Sequence, residues 1–379
     1  RVVPPPRGQP VKRIVFVALL AAAPLMATPL VAQQPAVPMQ WTGPMDSARA
    51  RELYVSKNPS DIRGCTPDVC ARDLANKRAT DSVYAAKAPG RYQFTKIKYR
   101  SRVDGLEIPA YVFSPIDKGS AKHAALVWVH GGVHGNWDTS LYPFVVEAVT
   151  RGYVVLAPDY RGSTGYGDEW MKLIDYGGKE VDDVRSAADY LATLPYVDMK
   201  RLGIMGWSHG GFIAAHMLFQ PGNPFAAGAA IVPVTNLVFR LSDHGPNYAR
   251  DYAAEMGLQG LPFESNCGPQ HDRPCINLYL ERSPVFHVQN LKVPMLVHVA
   301  TNDCDVFFRE DQQMVYTLMA LKPKLAETKI YTDPPPGPSG CGHTFSRRTN
   351  TQTLEREDTP EQIDSWNRTW QFFARNLRP

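Results

Sequence analysis

The chain has 379 residues, of which 44% are hydrophobic and 21% charged, and this composition excludes a disordered, collagen-like or coiled-coil protein. Its length allows two or three domains, or one large α/β core. The net charge of +4 is small, and no basic cluster beyond the N-terminus indicates a nucleic-acid partner. We therefore expect a globular protein that does not bind nucleic acid.

The first forty residues have the pattern of an export signal. Basic residues, the last of them Arg13, precede an apolar run over 14–25, and small and polar residues follow up to Ala32. This run is shorter than the ~20 residues that a transmembrane helix needs. We predict a signal peptide over residues 1–32 and a secreted or periplasmic protein without a membrane span after signal removal. An uncleaved membrane anchor is the alternative.

Six cysteines in an exported chain indicate disulfide bonds. Six cysteines allow fifteen pairings, and the sequence cannot choose between them. We predict sequential pairing because two of the pairs would close short polar loops, whereas free buried thiols are the alternative in a reducing cytosol. The predicted pairs are Cys65–Cys70, Cys267–Cys275 and Cys304–Cys341.

Residues 33–90 are predicted to form an N-terminal helical extension. After a Pro-rich lead-in, residues 45–88 have a helical pattern that the Cys65–Cys70 loop interrupts.

Residues 92–99 and 106–113 then alternate apolar and polar side chains on either side of a Val-Asp-Gly turn. This alternation is typical of antiparallel strands with one face in water.

Short continuous apolar runs follow, which are typical of strands buried on both faces. Segments with helical periodicity separate them, so we predict an α/β fold over residues 91–379, with a mostly parallel central sheet and helices on both faces. The predicted strands are residues 124–129, 153–157, 202–206, 226–232, 294–300 and 329–332, and the predicted helices are 142–150, 180–194, 211–219, 309–320 and 360–376.

The strongest chemical signal is the segment Gly206–Gly211, which reads GWSHGG. It has the G-x-S-x-G form, directly follows a predicted buried strand and opens a predicted helix. Glycines are needed in such a turn because the backbone is strained and closely packed, which leaves the serine hydroxyl exposed at the edge of the sheet. Ser208 is therefore the predicted nucleophile.

A serine nucleophile needs a base, and the base needs a carboxylate that orients it. In this kind of fold the partners follow in the order Ser, Asp, His. Asp303 follows the strand predicted over 294–300, and His343 lies in a loop after the last predicted strand. We predict Ser208, Asp303 and His343 as the catalytic residues, with Asp305 as the rival carboxylate.

The oxyanion of an acyl-transfer reaction needs two hydrogen-bond donors. One predicted donor is the backbone N–H of His209, and the other is that of Gly132 or Val133 in the loop His130-Gly-Gly-Val-His134. The two histidines of this loop have i, i+4 spacing, but no carboxylate lies between them at the position that a zinc protease requires. We therefore expect loop packing from them, and neither a metal nor a cofactor.

From about residue 92 to residue 376 the chain resembles the catalytic domain of the prolyl oligopeptidase family, a group of α/β-hydrolase serine peptidases. The motifs that carry the resemblance are DYRGSTGYG at Asp159–Gly167, VDDV at Val181–Val184, the GWSHGG segment at Gly206–Gly211, and Asp303 three residues before Val306. The resemblance implies an α/β-hydrolase fold and the triad Ser208, Asp303 and His343. It also implies that the RGSTGYG stretch is a structural loop near the site.

Two features depart from that family. Only about sixty residues separate the predicted signal from the first strand, too few for the family's β-propeller. The HGGVH loop is similar to the backbone-only oxyanion hole of esterases, including dienelactone-hydrolase-like enzymes, whereas the family often supplies a tyrosine hydroxyl. We therefore predict a serine peptidase acting on peptides, with a carboxylesterase acting on small or polymer-borne esters as the alternative. A non-catalytic binding protein is the third interpretation.

An inserted segment and a predicted disulfide bond also concern the site. Residues 233–290 separate two predicted strands and are too long for a simple connection, so they form either a cap over the site or a peripheral helical pair. A Cys304–Cys341 bond would join the loop of the predicted acid to the loop of the predicted base, and would hold the two in place.

Overall fold

The computed structural model describes residues 61–379 apart from residues 245, 259–275 and 338. The predicted signal peptide, the Pro-rich lead-in and the pair Cys267–Cys275 lie outside the described residues. In the part of the chain that is described, no helix is both long enough and apolar enough to cross a bilayer.

An eight-stranded sheet forms the centre of the described chain. In sequence order its strands are β1 Gln93–Arg100, β2 Glu107–Ser114, β3 His123–Val129, β4 Val154–Pro158, β5 Val197–Trp207, β6 Ala227–Ile231, β7 Met295–Ala300 and β8 Ala326–Tyr331. Their spatial order is β1-β2-β4-β3-β5-β6-β7-β8. The pairs β1–β2 and β2–β4 are antiparallel, and the others are parallel. The predicted mostly parallel sheet with an antiparallel start is confirmed.

Helices and a small hairpin surround this sheet. In chain order the helices are α1 Pro67–Lys87, α2 Tyr142–Thr150, α3 Asp168–Met171, α4 Lys179–Ala192, α5 His209–Phe219, α6 Leu237–Asp243, α7 Pro246–Ala253, α8 Ile276–Glu281, α9 Phe308–Leu321 and α10 Pro360–Leu377. The hairpin pairs β9 Thr349–Asn350 with β10 Glu355–Arg356.

The hydrophobic core has two parts, one on each face of the sheet. Strand β3 shows the division, because successive side chains of a strand point to opposite faces. Ala125 and Val127 pack with residues of α4, α5 and α9. Leu126 and Trp128 pack with residues of α1, α2 and α10. Helices thus cover both faces, as the alternation of apolar runs and helical segments predicts.

The extension before β1 differs from its prediction in one respect. Helix α1 begins at Pro67, a position where proline is well tolerated because the first N–H groups of a helix have no partner within it. Cys70 therefore lies in the first turn of α1 and not in a loop, whereas the helical pattern predicted before residue 61 lies outside the described residues. The two cysteines are nevertheless joined, with their Cα atoms 5.3 Å apart.

Helix α1 is attached to the rest of the molecule through Lys77. The Lys77 side chain is 1% exposed, and its Nζ contacts Asp159 and donates a hydrogen bond to the Trp137 carbonyl at 2.7 Å. Burial lowers the pKa of Lys77, and the Asp159 carboxylate opposes that change. A buried ion pair thus connects the N-terminal extension to the loop after β4.

Candidate active site

Ser208 lies at the turn between strand β5 and helix α5. Its φ of 55° is in the left-handed region, which is rare for a residue other than glycine. The residue is 5% exposed. A strained backbone at this point aims the side chain out of the edge of the sheet, as the G-x-S-x-G pattern requires.

Two glycines next to Ser208 allow this turn to form. A Cβ on Gly206 would lie 2.4 Å from the backbone of Gly210, and a Cβ on Gly210 would lie 2.3 Å from the Val129 carbonyl oxygen. Real Cβ atoms do not approach backbone so closely, so a side chain at either position would push β3, β5 and α5 apart. The motif is therefore a packing requirement as well as a chemical signal.

The acid and the base predicted from chain order meet in the structure. Asp303 follows β7 and His343 follows the neighbouring strand β8, so both lie at the carboxyl edge of the sheet, as does Ser208 after β5. The Nδ1 of His343 donates a hydrogen bond to Asp303 Oδ2 at 2.8 Å. The N–H groups of Asp305 and Val306 each donate to Asp303 Oδ1 at 2.9 Å, which fixes the carboxylate.

Ser208 and His343 open into one cavity of about 330 Å³. Its described lining is mostly polar and comes from the loop after β3, the serine turn, the acid loop and the base loop. The lining residues are His130, Gly131, Gly132, Gly135, Asn136, Asp138, Ser140, Leu141, Ser208, Asp305, His343 and Arg347. The predicted nucleophile and the predicted base therefore face the same space, which is large enough for a short segment of peptide.

The rival carboxylate, Asp305, has a different position. Its Oδ2 lies 3.4 Å from His343 Nε2, the ring nitrogen on the side away from Asp303. Its Oδ1 accepts a hydrogen bond from Arg240 Nη2 at 2.8 Å, and the Arg240 side chain is 6% exposed. Burial opposes the ionisation of Asp305, but Arg240 and His343 outweigh burial and lower its pKa. Asp303, and not Asp305, is placed to orient the imidazole.

The loop after β3 brings glycine backbone to the cavity. Gly131 and Gly132 line it, whereas the Val133 side chain belongs to the hydrophobic core. The Tyr160 hydroxyl donates to the Gly132 carbonyl oxygen at 2.7 Å and holds the loop in place. His209 is the first residue of α5, so its N–H has no acceptor within the helix. The oxyanion roles of His209, Gly132 and Val133 stay predictions.

The two histidines of this loop pack as expected. The ring of His130 is hydrogen-bonded to Ser163 Oγ at 2.9 Å, and that of His134 to Glu255 at 2.8 Å and to the Gly162 carbonyl oxygen at 2.7 Å. Across the described residues, neither histidine belongs to a cluster that could hold a metal.

The DYRGSTGYG and VDDV motifs contact each other directly. Arg161 donates two hydrogen bonds to Asp183 at 2.8 Å and two to Asp104 at 2.9 and 3.0 Å. Asp159 accepts from the Trp137 N–H at 2.7 Å and from the Tyr166 hydroxyl at 2.6 Å. These side chains hold loops together behind the site, in agreement with the structural role implied for this stretch.

A disulfide joins the acid loop to the base loop. Cys304 and Cys341 have Cα atoms 5.9 Å apart, within the usual range for a disulfide, and no cysteine among the described residues is free. The N–H of Cys304 also points to Cys341 Sγ at 3.2 Å. Each cysteine is within two residues of the acid or the base.

Sequence reasoning missed two arginines at this site. Arg240, in α6 of the inserted segment, pairs with Asp305, and Arg347 lines the cavity four residues after His343. Neither arginine belongs to a recognisable motif with fixed spacing to Ser208. The consecutive arginines at 347 and 348, directly after the base loop, are the one sequence signal that could have drawn attention.

A mostly parallel sheet with a serine at the strand–helix turn and an Asp–His pair at its carboxyl edge defines an α/β hydrolase. Residues 137–352 match the prolyl oligopeptidase family. That match covers more than half of the chain, so the chain belongs to the prolyl oligopeptidase family, as its motifs suggest, and it is an enzyme of the serine-hydrolase class.

Curated relatives support this membership. The chain is 28% identical over 262 residues to acylamino-acid-releasing enzyme 1 of rice, a match that covers 67% of this chain and 33% of the relative. It is 30% identical over 214 residues to the human acylamino-acid-releasing enzyme, covering 55% of this chain and 28% of the relative. The chain thus matches about a third of the length of these relatives.

Solved structures share the fold. An acylaminoacyl peptidase of Pyrococcus horikoshii superposes with a TM-score of 0.58 at 19% identity, covering 79% of this chain and 44% of that one. A puromycin hydrolase superposes with a TM-score of 0.59 at 21% identity, covering 76% and 39%. At these identities the likeness concerns the fold alone.

Proposed function

We propose that this protein is an exported serine peptidase that cleaves short peptides through an acyl-enzyme on Ser208. The observation that carries the proposal is the hydrogen bond from His343 Nδ1 to Asp303 at 2.8 Å, with His343 and the strained Ser208 facing one cavity. Membership of a peptidase family and curated relatives that release acylamino acids favour amide bonds as the substrate.

In the proposed reaction, Ser208 Oγ attacks the carbonyl carbon of the scissile bond while His343 Nε2 takes the hydroxyl proton. Asp303 keeps the other ring nitrogen protonated and stabilises the imidazolium that forms. His343 then gives its proton to the leaving nitrogen, and the acyl group stays on Ser208. A water molecule activated by the same imidazole releases the acid and restores the serine.

The negative oxygen of each tetrahedral intermediate needs donors that are already in place. The His209 N–H at the start of α5 is one, and the helix dipole adds a partial positive charge there. A glycine N–H of the loop after β3 is the second. Loss of one such donor typically costs about 10²–10³ in kcat.

Export is the other part of the proposal. A basic segment, an apolar run over residues 14–25 and small residues up to Ala32 support it, as does the pairing of Cys65 with Cys70 and of Cys304 with Cys341. Disulfides persist in oxidising compartments and are rare in the cytosol. Mass spectrometry of the protein recovered from outside the cytoplasm tests it, and an N-terminus beginning upstream of residue 33 would contradict signal cleavage.

The activity is tested with matched substrates, a series of peptidyl nitroanilides and the corresponding nitrophenyl esters, on the wild type and on Ser208→Ala. We expect anilide cleavage that Ser208→Ala abolishes, because no acyl-enzyme forms without the hydroxyl. The anilide is the harder test, since its nitrogen leaves only when His343 protonates it. Ester turnover without amide cleavage would replace the peptidase by a carboxylesterase. Equal rates for Ser208→Ala and the wild type would overturn the serine mechanism.

A further inference from the structure

One guanidinium lines the catalytic cavity without an anionic partner. Arg347 lies four residues after His343, in the turn where its backbone N–H donates to the Thr344 carbonyl oxygen at 3.0 Å. Its side chain borders the cavity together with Ser208 and His343. Arg347 thus belongs to the same short turn as the proposed base, His343.

Within the described part of the chain, the Arg347 guanidinium makes neither a hydrogen bond nor an ion pair, and its Nε is shielded from solvent without an acceptor. The Nε of the neighbouring Arg348 is also shielded without an acceptor, but its terminal nitrogens donate to the Pro336 carbonyl oxygen and lie 3.5 Å from Glu357. Leaving a shielded charged donor without an acceptor costs free energy. Because Arg347 lines the cavity and no acceptor of the described chain contacts its guanidinium, a substrate in the cavity can supply one.

The carboxylates around the cavity are engaged elsewhere. Asp305 pairs with Arg240 at 2.8 Å, and Asp138 accepts from the N–H and the hydroxyl of Ser140 at 2.8 and 2.5 Å. Burial lowers the pKa of Arg347, and these two carboxylates oppose the change. A guanidinium stays protonated in proteins in any case. Arg347 therefore presents a positive charge that no carboxylate of the described chain contacts.

The position of Gly131 shows how near this charge is to the nucleophile. A Cβ built on Gly131 would lie 3.4 Å from Ser208 Cβ and 3.7 Å from Arg347 Nη1. Arg347 Nη1 therefore lies no more than 7.1 Å (3.4 + 3.7) from Ser208 Cβ. Because one residue of extended chain spans about 3.3–3.6 Å, an anion bound by Arg347 lies within about two residues of the scissile bond.

We propose that Arg347 binds a carboxylate of the substrate next to the scissile bond, which makes it a specificity-determining residue. This inference rests on the proposed function, since it names the substrate class of the same site. A planar guanidinium matches a carboxylate with two parallel hydrogen bonds. The carboxylate has two possible sources: the free C-terminus of a short peptide that loses its last residue, or an acidic side chain beside the cleaved bond.

The test compares three acetylated peptides that differ in one group. The first peptide is uncharged: it ends in an amide and has Gln beside the cleaved bond. The second has the same sequence with a free C-terminal carboxylate. The third keeps the amide but has Glu in place of that Gln. We expect the wild type to prefer one of the two anionic peptides over the neutral one by about ten- to a hundredfold in kcat/KM. The preferred peptide identifies the source of the carboxylate.

Arg347→Met should remove this preference, and Arg347→Lys should restore part of it because the charge returns without the planar fork. The ratio of kcat/KM for two peptides is measured within each variant, so it does not depend on the fraction of folded enzyme. Arg348→Met, whose side chain is not part of the cavity lining, is the matched control and should keep the wild-type ratio. Equal ratios in the wild type and in Arg347→Met would overturn the inference.

A binding measurement separates this inference from the proposed function. Ser208→Ala protein is titrated with the same three peptides by calorimetry, and the double variant Ser208→Ala/Arg347→Met is titrated in parallel. Tighter binding of an anionic peptide that the second substitution abolishes supports carboxylate recognition even if the wild type cleaves no peptide at all. Equal affinity for all three peptides would overturn it, whatever the outcome for hydrolysis.

Discussion

Two aspartates two positions apart in one loop have different contacts at this site. Asp303 contacts His343 Nδ1 at 2.8 Å, and two backbone N–H groups hold its other oxygen. Asp305 lies 3.4 Å from the opposite ring nitrogen and is paired with the buried Arg240. The geometry thus favours Asp303 as the residue that orients the predicted base, whereas Asp305 neutralises a buried charge.

The substitution Asp303→Asn is expected to lower kcat by about 10³–10⁴, because an amide at this place favours the wrong imidazole tautomer. KM should change little, since Asp303 does not line the cavity. Steady-state kinetics on a peptidyl nitroanilide measure both constants.

Asp305→Asn serves as the matched comparison. It should reduce kcat by less than about tenfold but lower the melting temperature, because the buried Arg240 loses its carboxylate. If Asp305→Asn had the larger effect on kcat, the assignment of the two aspartates would be reversed.

For single residues, the sequence predicts those that follow a motif or a known chain order, and it misses those that only the folded chain brings to the site. Chain order and the strand–turn–helix context pick out Ser208, Asp303 and His343, and the structure brings Asp303 and His343 into contact. The contact between Arg240 and Asp305 joins residues 65 positions apart, and only the folded insertion places them together. Arg347 also reaches the cavity only through folding, although it lies four residues after His343 and not in the insertion.

At the level of secondary-structure elements, a buried carboxyl group lies where the insertion meets helix α9. Glu310 of α9 accepts hydrogen bonds from the N–H groups of Thr235 and Asn236 at 2.6 and 2.9 Å, just before helix α6. Burial raises the pKa of Glu310 to about 7, although Arg240 and the two N–H groups oppose the shift. The folded protein therefore binds a proton at Glu310 more tightly than the unfolded chain does.

This shift predicts a pH-dependent effect of Glu310→Gln. Folding favours the protonated carboxyl, so the contribution of Glu310 to stability is present below the usual Glu value of about 4.5 and is lost as pH rises to about 7. Glutamine can still accept the two N–H bonds and does not ionise. The variant should therefore gain about 1–3 kcal/mol relative to the wild type between pH 4.5 and pH 8. Denaturant unfolding at both pH values measures this, and a difference independent of pH would contradict it.

Element boundaries also show where sequence patterns fail. The apolar run predicts β5 from residue 202, but the strand begins at Val197, which already pairs with His123 of β3. The residues up to 201 include polar side chains such as the exposed Lys200, so no apolar run marks them. Helix α5 begins at His209, two residues before its predicted start at Gly211. Glycine has poor helix propensity, yet close packing against β3 requires it there.

At the scale of the whole molecule, the parallel sheet determines where the site forms. Strands β5, β7 and β8 end at one edge, so the loops that follow them meet although they lie far apart in the chain. The insertion between β6 and β7 reaches the same edge through the contact of Arg240 with Asp305. Loops converging at one edge need to be held together, and the Cys304–Cys341 bond does this for the acid and base loops.

Loss of that bond is expected to affect both stability and catalysis. A disulfide between residues 37 positions apart restricts the unfolded chain by about 2–4 kcal/mol, so Cys304→Ser/Cys341→Ser should lower the free energy of unfolding by that amount. It should also lower kcat, because Asp303 and His343 would be held by their mutual hydrogen bond and the loop backbones alone.

The control is Cys65→Ser/Cys70→Ser, which removes a bond between residues only 5 positions apart and distant in sequence from the triad. This control should cost less stability and leave kcat unchanged. A Cys304→Ser/Cys341→Ser protein with wild-type kcat would mean that the bond stabilises the fold without positioning the two residues.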